Sequence, residues 1–590
     1  LNVKEEGRPS KEVKPAASGI STVRVDKDYS LWKEKSLDEF RRVVSMRKRV
    51  NKQMVYGSMV CIAALSALLA ACTKESADPA PGASSGEGGA KRGQISVSLY
   101  DRGTVPQQVG TVEKNNWTQY VNEKGPVDVK FVPIPRGESV QKLNVLFASG
   151  SAPDVIHEFD SPFRNQLYAS KQIMPVDDLI EKYSTVYKKL LQKYPELKKA
   201  ATKPDGKMYE FGRVQRLVGF QALFIRNDWL KKLNLKVPQT TEELLQVAKA
   251  FAEQDPDGNG KKDTYGIALS SETGATVDTM FQNFGWIEEG GKMIKDWDRA
   301  QAALAFKKQI YDSGLTDKDF LADKNGQKSI QDWVSGKTGI FVGRTVDTVN
   351  FKTYYEPLKK NVPGAEVIAI KLPESPYGRF AAGVNNPVQM TTVINASAKD
   401  PAAAMKYVDF MSSDEAAKSF RYGFENVHYT VGPQGCPVQK DPEKYKTEIA
   451  WNVDFQLLLQ QIEMGDCAQV EAQLNPDVPL EKDFIEIIKQ NNEANLASDV
   501  KYGRITHAEH FPSLPANLQT IATNTAQISD IYNKAIVSGD KYTVDQAMKD
   551  ARKMWDDQGG KQLEDFYGKW YAEQKDKAFL AADMMKFAKK

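Results

Sequence analysis

Asp255, Asp257, Asn259 and Asp263 fall at positions 1, 3, 5 and 9 of Asp255-Pro-Asp257-Gly-Asn259-Gly260-Lys261-Lys-Asp263, a spacing of oxygen donors that suits a calcium ion. Lys261 adds its backbone carbonyl at position 7, and Gly260 at position 6 permits the sharp turn. Position 12 is Gly266, so the bidentate glutamate that usually closes such a loop is missing. Three carboxylates this close repel one another unless a cation neutralises them. A structural calcium is therefore expected on Asp255, Asp257, Asn259, Lys261 and Asp263, with a metal-free Asp/Gly turn as the alternative.

Bond-breaking chemistry has little support. His507-Ala-Glu-His510 lacks a third metal ligand in a chain of four histidines and reads as exposed residues. Gly336-Lys-Thr338 has Gln331 where a phosphate loop needs glycine. Gly82-Ala-Ser84-Ser-Gly86 lacks the strand and helix that flank a hydrolase nucleophile. Two glycosidase carboxylates leave no signature in a sequence, so a hydrolase stays open as an alternative.

Residues 55–71 form an apolar run behind the basic Met46-Arg-Lys-Arg49 and end in Leu69-Ala70-Ala71-Cys72. The run is shorter than the ~20 residues of a spanning helix, and small residues precede the cysteine. Residues 46–71 are therefore expected to be an export signal rather than an anchor. Leu-Ala-Ala-Cys resembles the lipobox of bacterial lipoproteins, which implies diacylglycerol on the Cys72 thiol and cleavage just before it. Residues 1–45 show no apolar period and are expected to be a mis-extended or disordered leader. Residues 1–71 hold 14 Lys+Arg and 8 Asp+Glu, so of 80 basic and 77 acidic residues 66 and 69 remain, a net charge of −3. No basic stripe is left to suggest nucleic acid as a partner. Cys61 lies in the signal. Cys436 and Cys467 remain, and outside the cytoplasm they are free to pair or to stay as thiols. A bond closing that loop of about 30 residues would contribute roughly 3.5 kcal/mol.

Several elements must position these groups. Residues 72–93 are rich in Gly, Pro and Ser and read as a flexible tether. Ile95, Val97 and Leu99 alternate as a strand, Trp117 to Lys124 suits a helix, and residues 127–134 form a second strand. Val140, Leu143, Leu146 and Phe147 share a helix face before a third strand over 154–159. This β-α-β-α-β order predicts an α/β sheet. Ligands collect at the carboxyl ends of strands in such sheets, which nominates Tyr100, Asp101 and Arg102, then Glu158, Phe159 and Asp160. Thr240-Thr-Glu-Glu243 opens a capped helix, residues 337–342 and 380–394 read as strands, and 402–411 and 527–551 as helices. Helical periodicity dominates after Trp451.

Ala148-Ser-Gly-Ser-Ala-Pro-Asp-Val155, Gly206-Lys-Met-Tyr209, Ile225-Arg-Asn-Asp-Trp-Leu-Lys-Lys-Leu-Asn234 and Gly336-Lys-Thr-Gly-Ile-Phe-Val-Gly343 occur in that order, followed by the helix opening at Pro401-Ala-Ala-Ala404. With the lipobox, this set resembles the extracellular solute-binding lipoproteins of bacterial ABC importers, of the maltodextrin-binding-like, family 1 type. The resemblance implies a two-lobed, periplasmic-binding-protein-like (type II) α/β fold with crossovers and a helix-rich C-terminal part. It places crossings near 223–226, 380–385 and 438–445, hence lobe one at 94–223 and 386–439 and lobe two at 224–385 and 440–590. It further implies a monomer that holds a carbohydrate, expected to be an oligosaccharide, and passes it intact to permease subunits. A passive surface adhesin is a further alternative. Candidate sugar contacts are Tyr100, Asp101, Arg102, Trp117, Glu158, Phe159, Asp160, Tyr209, Arg213, Trp286, Arg344, Asp347 and Trp451. Arg102, Arg164, Arg213, Arg216 and Arg344 are candidates for bidentate bonds to an acidic sugar. The calcium loop also resembles those of some solute-binding proteins.

Overall fold

Alternation sets the first strand, β1 (Gln94–Asp101): Ile95, Val97 and Leu99 enter one apolar core while Tyr100 enters another on the opposite face. A strand covered on both faces belongs at the centre of its sheet. The computed structural model describes residues 92–588 apart from 433 and 434, so the expected leader, export signal, Cys72 and nearly all of the tether lie outside the described residues. Strands β2 (Asp128–Pro135), β3 (Val155–His157), β4 (Glu210–Val214), β5 (Gln221–Arg226), β6 (Tyr265–Ile267), β7 (Thr338–Arg344), β8 (Val367–Ile370) and β9 (Val388–Ile394) follow along the chain. They build two sheets. The first has the order β2-β1-β3-β9-β4, with β1, β2 and β3 parallel and β9 antiparallel to both of its neighbours. The second has the order β8-β5-β7-β6, antiparallel except where β6 meets β7.

Helices cover the faces for local reasons. Asn115 and Thr118 exchange hydrogen bonds in a capping box that opens Asn116–Lys124, and Trp117 anchors that helix at 1% exposure. Thr240 caps Thr241–Glu253 through the Glu243 N–H at 3.2 Å, and Leu244, Val247, Ala248 and Phe251 pack below. The stretch expected as one helix over 527–551 is two, Ile528–Val537 and Val544–Asp557. Gly539, at φ 56°, breaks it. Only Val388–Ile394 of the expected strand 380–394 is a strand.

The crossings differ from expectation. Leu223 to Arg226 lie inside β5, hydrogen-bonded on both sides to β7 and β8, because Ala222-Leu-Phe-Ile225 is apolar on both faces. The first crossing is 215–220. The second, 371–387, contains the expected 380–385 and pairs with the first at Gly219 and Val384. Residues 437–439 stay in a hairpin, and Ile449, Trp451, Phe455, Leu458 and Leu459 pack into the core under β1. Val470 and Leu474 then join the second sheet with Phe484, so the third crossing falls between Leu459 and Val470. Phe579, Met584 and Phe587 return to the first core. Residues 440–459 and 579–587, assigned from sequence to lobe two, therefore pack on lobe one, since their apolar partners are distant in the chain.

One helix ties both early crossings. Pro479–Leu496 presents Asn491, Asn492 and Asn495: Asn491 Nδ2 donates to Gly219 O (3.0 Å), Gly219 N–H to Asn492 Oδ1 (2.8 Å), Asn495 Nδ2 to Gln221 O (3.0 Å) and Gly383 N–H to Asn495 Oδ1 (3.1 Å). Gly219 must be glycine, because a Cβ there would sit 2.7 Å from Asn491 O. Cys436 and Cys467 form a disulfide with Cα atoms 5.2 Å apart.

Candidate functional site

The chain leaves the first sheet at Val214, the end of β4. β4 runs in the same direction as β1 and β3, so the carboxyl ends of β1, β2 and β3 lie along the edge from which the chain crosses to the second lobe. A polar and aromatic cluster gathers there. Tyr100, at 3% exposure, stacks on Phe159 with centroids 5.9 Å apart and donates its O–H to Glu158 Oε1 at 2.9 Å. Burial, reinforced by the Glu158 carboxylate, raises the Tyr100 phenol far above its ordinary range. The Arg136 guanidinium lies 4.6 Å over Tyr100 and 5.4 Å over Phe159, and that of Arg213 lies 5.8 Å over Phe159. Arg213 donates to Gln389 Oε1 (3.0 and 2.7 Å) and to Gln456 O (3.0 Å), and burial lowers it to about 10. Arg102 holds Asp454 through three bonds of 2.8–3.0 Å.

Asp101 and Asp160 flank this cluster as the neighbours of Tyr100 and Phe159, and the remaining candidates lie apart from it. Asp101 accepts from Gly103 N–H, and Asp160 caps Ser161–Ala169 through Phe163 N–H. Arg344 and Asp347 stand at the crossing edge of the second sheet, where Gln221 pairs with Arg344. Arg344 bonds Glu272 over the Phe220 ring, and Asp347 caps Thr348–Asn350. Trp117 and Trp451 are core residues whose indole N–H groups meet Glu448 O and Thr447 O. Tyr209 precedes β4 and therefore lies at the far edge of the sheet, bonded to Asp205. Trp286 packs against Trp555 and Tyr567. Arg136 was missed in sequence reasoning. The strand-end rule that nominated Tyr100 and Glu158 would have found it, for it follows β2 directly.

Arg164 is not at the cluster. It is 1% exposed, with Nε 3.4 Å from Glu210 and Nη2 3.4 Å from Glu509, and its Nη1 donates to Glu158 O at 2.7 Å. Lys203 bonds Glu210 at 2.6 Å. Glu509 accepts from Met390 N–H (2.8 Å) and Asn386 Nδ2 (2.7 Å), which joins the 508–510 turn to β9. His507 and His510, expected to be exposed, are half-buried, and His510 Nε2 donates to Val388 O at 2.9 Å. Burial outweighs Arg164 and pushes the Glu509 carboxyl up to about 7. The stability this group contributes is thus complete below about pH 4.5 and is lost as pH rises through about 7. Urea denaturation at pH 5 and pH 8 is expected to show Glu509→Gln removing a fall on the order of 2 kcal/mol from the wild-type profile.

The Asp255 loop turns as its spacing demands, with Gly258 and Gly260 at φ 76° and 75°. Asp255 accepts from Asn259 N–H (3.1 Å) and Gly260 N–H (3.0 Å), and Asn259 Nδ2 bridges Asp257 (2.8 Å) and Asp263 (3.0 Å). One amide thus links two carboxylates. Burial, with Asp255 and Asp263 nearby, raises the Asp257 carboxyl. A longer residue at position 12 is barred, since a Cβ on Gly266 would sit 2.1 Å from Ala248 O. Among the described residues no three His, Cys, Asp or Glu side chains gather as a metal cage. Oxygen donors at Asp255, Asp257, Asn259, Asp263 and the Lys261 carbonyl are of the type calcium takes, although Asn259 here turns its amide nitrogen toward Asp257 and Asp263.

Comparisons with known proteins agree with this architecture. The sequence profile described as bacterial extracellular solute-binding protein matches residues 110–418. The polygalacturonan/rhamnogalacturonan-binding protein YtcQ of Bacillus subtilis is 26% identical over 536 residues, 88% of this chain and 98% of that one. An HMO-binding, ABC-transporter-associated solute-binding protein of Bifidobacterium longum infantis superposes with TM-score 0.63 at 18% identity, covering 82% of this chain and 99% of that one. An EF-hand mutant of the Streptococcus pneumoniae substrate-binding protein FusA, solved with fructo-nystose, superposes with TM-score 0.58 at 21% identity, covering 82% and 99%. Two sheets joined by repeated crossings, and a profile that spans more than half of the chain, make this chain a member of the bacterial extracellular solute-binding protein family.

Proposed function

We propose that this family member captures an oligosaccharide between its lobes and hands it intact to the permease subunits of an ABC importer. The observation that carries the reading is the cluster at the crossing edge. Phe159, backed by the buried Tyr100, offers apolar ring surface, while Arg136 and Arg213 offer donors suited to sugar hydroxyls. The carbohydrate named for YtcQ supports the same class of ligand. A binder signals occupancy without chemistry: solute favours the closed arrangement only through contacts that are better there. Calorimetric titration over an oligosaccharide panel, with scattering and product analysis, tests this. Binding, compaction and unchanged sugar are expected; shorter sugars would indicate a hydrolase, and absence of binding a passive adhesin.

Two further parts of the reading rest on sequence and loop geometry. Cys72 carries the lipid that holds the protein at the outer face of the membrane. Expressed in a bacterial host, the wild-type chain is expected in the detergent fraction and Cys72→Ser in the aqueous one; equal partitioning would remove the anchor. Calcium occupies the loop on Asp255, Asp257, Asn259, Lys261 and Asp263 in a structural role, replacing the hydrogen bonds of Asn259 with metal contacts. At a calcium concentration 100-fold above its dissociation constant, binding stabilises the fold by about 2.7 kcal/mol. Asp257→Ala is expected to abolish that gain in a thermal melt; a chain indifferent to calcium, before and after substitution, would end this part of the proposal.

A further inference from the structure

The arginines in and outside the cluster differ in their partners. Arg102, Arg164, Arg216 and Arg344 each have a carboxylate partner, in Asp454, Glu210, Asp466 and Glu272. Arg213 bonds only the neutral Gln389 and Gln456. Arg136 makes no hydrogen bond or ion pair among the described residues and is held half-buried by the two stacked rings alone. A guanidinium carries five N–H donors in a planar fork that matches a carboxylate. Stacking over a ring leaves the rim of that fork free, which orients it without using its donors.

The acids nearby are already engaged. Asp101 receives the Gly103 N–H, Asp160 the Phe163 N–H, and Asp454 the Arg102 fork. Glu158 receives the Tyr100 hydroxyl and the Asp160 N–H on Oε1, while its buried Oε2 has no partner. Two cationic forks, neither of them in an ion pair among the described residues, therefore lie over Phe159. A sugar that bears a carboxylate would supply the anion that these forks lack.

We propose that the ligand of this cluster is a carboxylate-bearing oligosaccharide, a uronide, and that Arg136 with Arg213 reads its carboxylate. This rests on the reading that the cluster binds sugar, and it adds the charge of that sugar. Charge-assisted forks are stronger than bonds to neutral hydroxyls, so the acid is expected to bind at least tenfold tighter than its methyl ester, a preference that weakens as salt rises.

The test uses the purified full chain in calorimetric titrations with tetramers of galacturonate and of mannuronate, their methyl esters, and a neutral fructo-tetraose. The inference predicts an acid-to-ester affinity ratio of ten or more for one of the two uronides. Arg136→Gln should bring that ratio to within about twofold, and Arg136→Lys, which keeps the charge and loses the fork, should fall between. Esters that bind as tightly as acids would overturn it, as would Arg136→Gln weakening acid and ester by one factor, which is what a merely structural arginine does. If fructo-tetraose binds and neither uronide does, the inference fails while the proposed function stands. If no sugar of the wider panel binds, both fail together.

Discussion

Arg164→Met is expected to cost about 3–5 kcal/mol of folding stability, read as a lowered urea midpoint with an unchanged slope. Arg164 is 1% exposed, and its removal leaves Glu210, itself 2% exposed, with only Lys203 as a counter-ion. Glu509 loses its nearest cation at the same time. Methionine replaces the volume but not the charge, so the loss measures chiefly the Glu210 carboxylate left in a low-dielectric interior, since Glu509, pushed up to about 7 by burial, takes a proton instead. The double variant Arg164→Met/Glu210→Gln removes that stranded charge and is expected to recover at least about 1 kcal/mol of the loss. A double variant no more stable than the single one would show that packing, not charge, sets the cost. The damage is also expected to reach the cluster, because Arg164 Nη1 holds the Glu158 carbonyl.

Removing the Cys436–Cys467 bond is the second large effect. The bond closes a loop of 31 residues between the Tyr429–Val431/Pro437–Gln439 hairpin and the turn that begins the third crossing. In the chain-entropy picture that closure contributes roughly 3.5 kcal/mol by restricting the unfolded chain. Cys436→Ser is expected to lose most of this, and reduction of the wild type by dithiothreitol should lower its midpoint to that of the variant. A reducing agent that lowers the variant equally would mean that the bond contributes nothing.

The first half of the sheet was legible because its signals are local. Alternation in Ile95, Val97 and Leu99 and the helix spacing after Glu138 are written within ten residues, and the strand-end rule then brought Tyr100, Glu158 and Phe159 to one place. Aromatic type alone could not separate Phe159, at the cluster, from Trp117 and Trp451, in the core, since all three are apolar rings near charged neighbours. The crossings failed for a different reason. Whether Leu458 or Val470 sits under the first or the second sheet depends on partners hundreds of residues away, and no local period records that choice. Arg136 was legible by the same strand-end rule, since it follows β2 directly.

The asparagine contacts have a mechanical consequence. Gly219, Gln221 and Gly383 are all fastened to one helix of the second lobe, while Val218 N–H and Gln215 N–H bond Asn385 and Pro387 across the gap. The two crossings thus form a single ribbon held at both ends, by the asparagine helix on one side and, through Leu217 N–H to Phe587 O and Asn386 Nδ2 to Glu509, by the first lobe on the other. Residues 215–218 and 385–387 form the part of the ribbon nearest the first sheet, two to five positions from Arg213 and Gln389. A ligand that bonds Arg213 would therefore act within a few residues of both crossings.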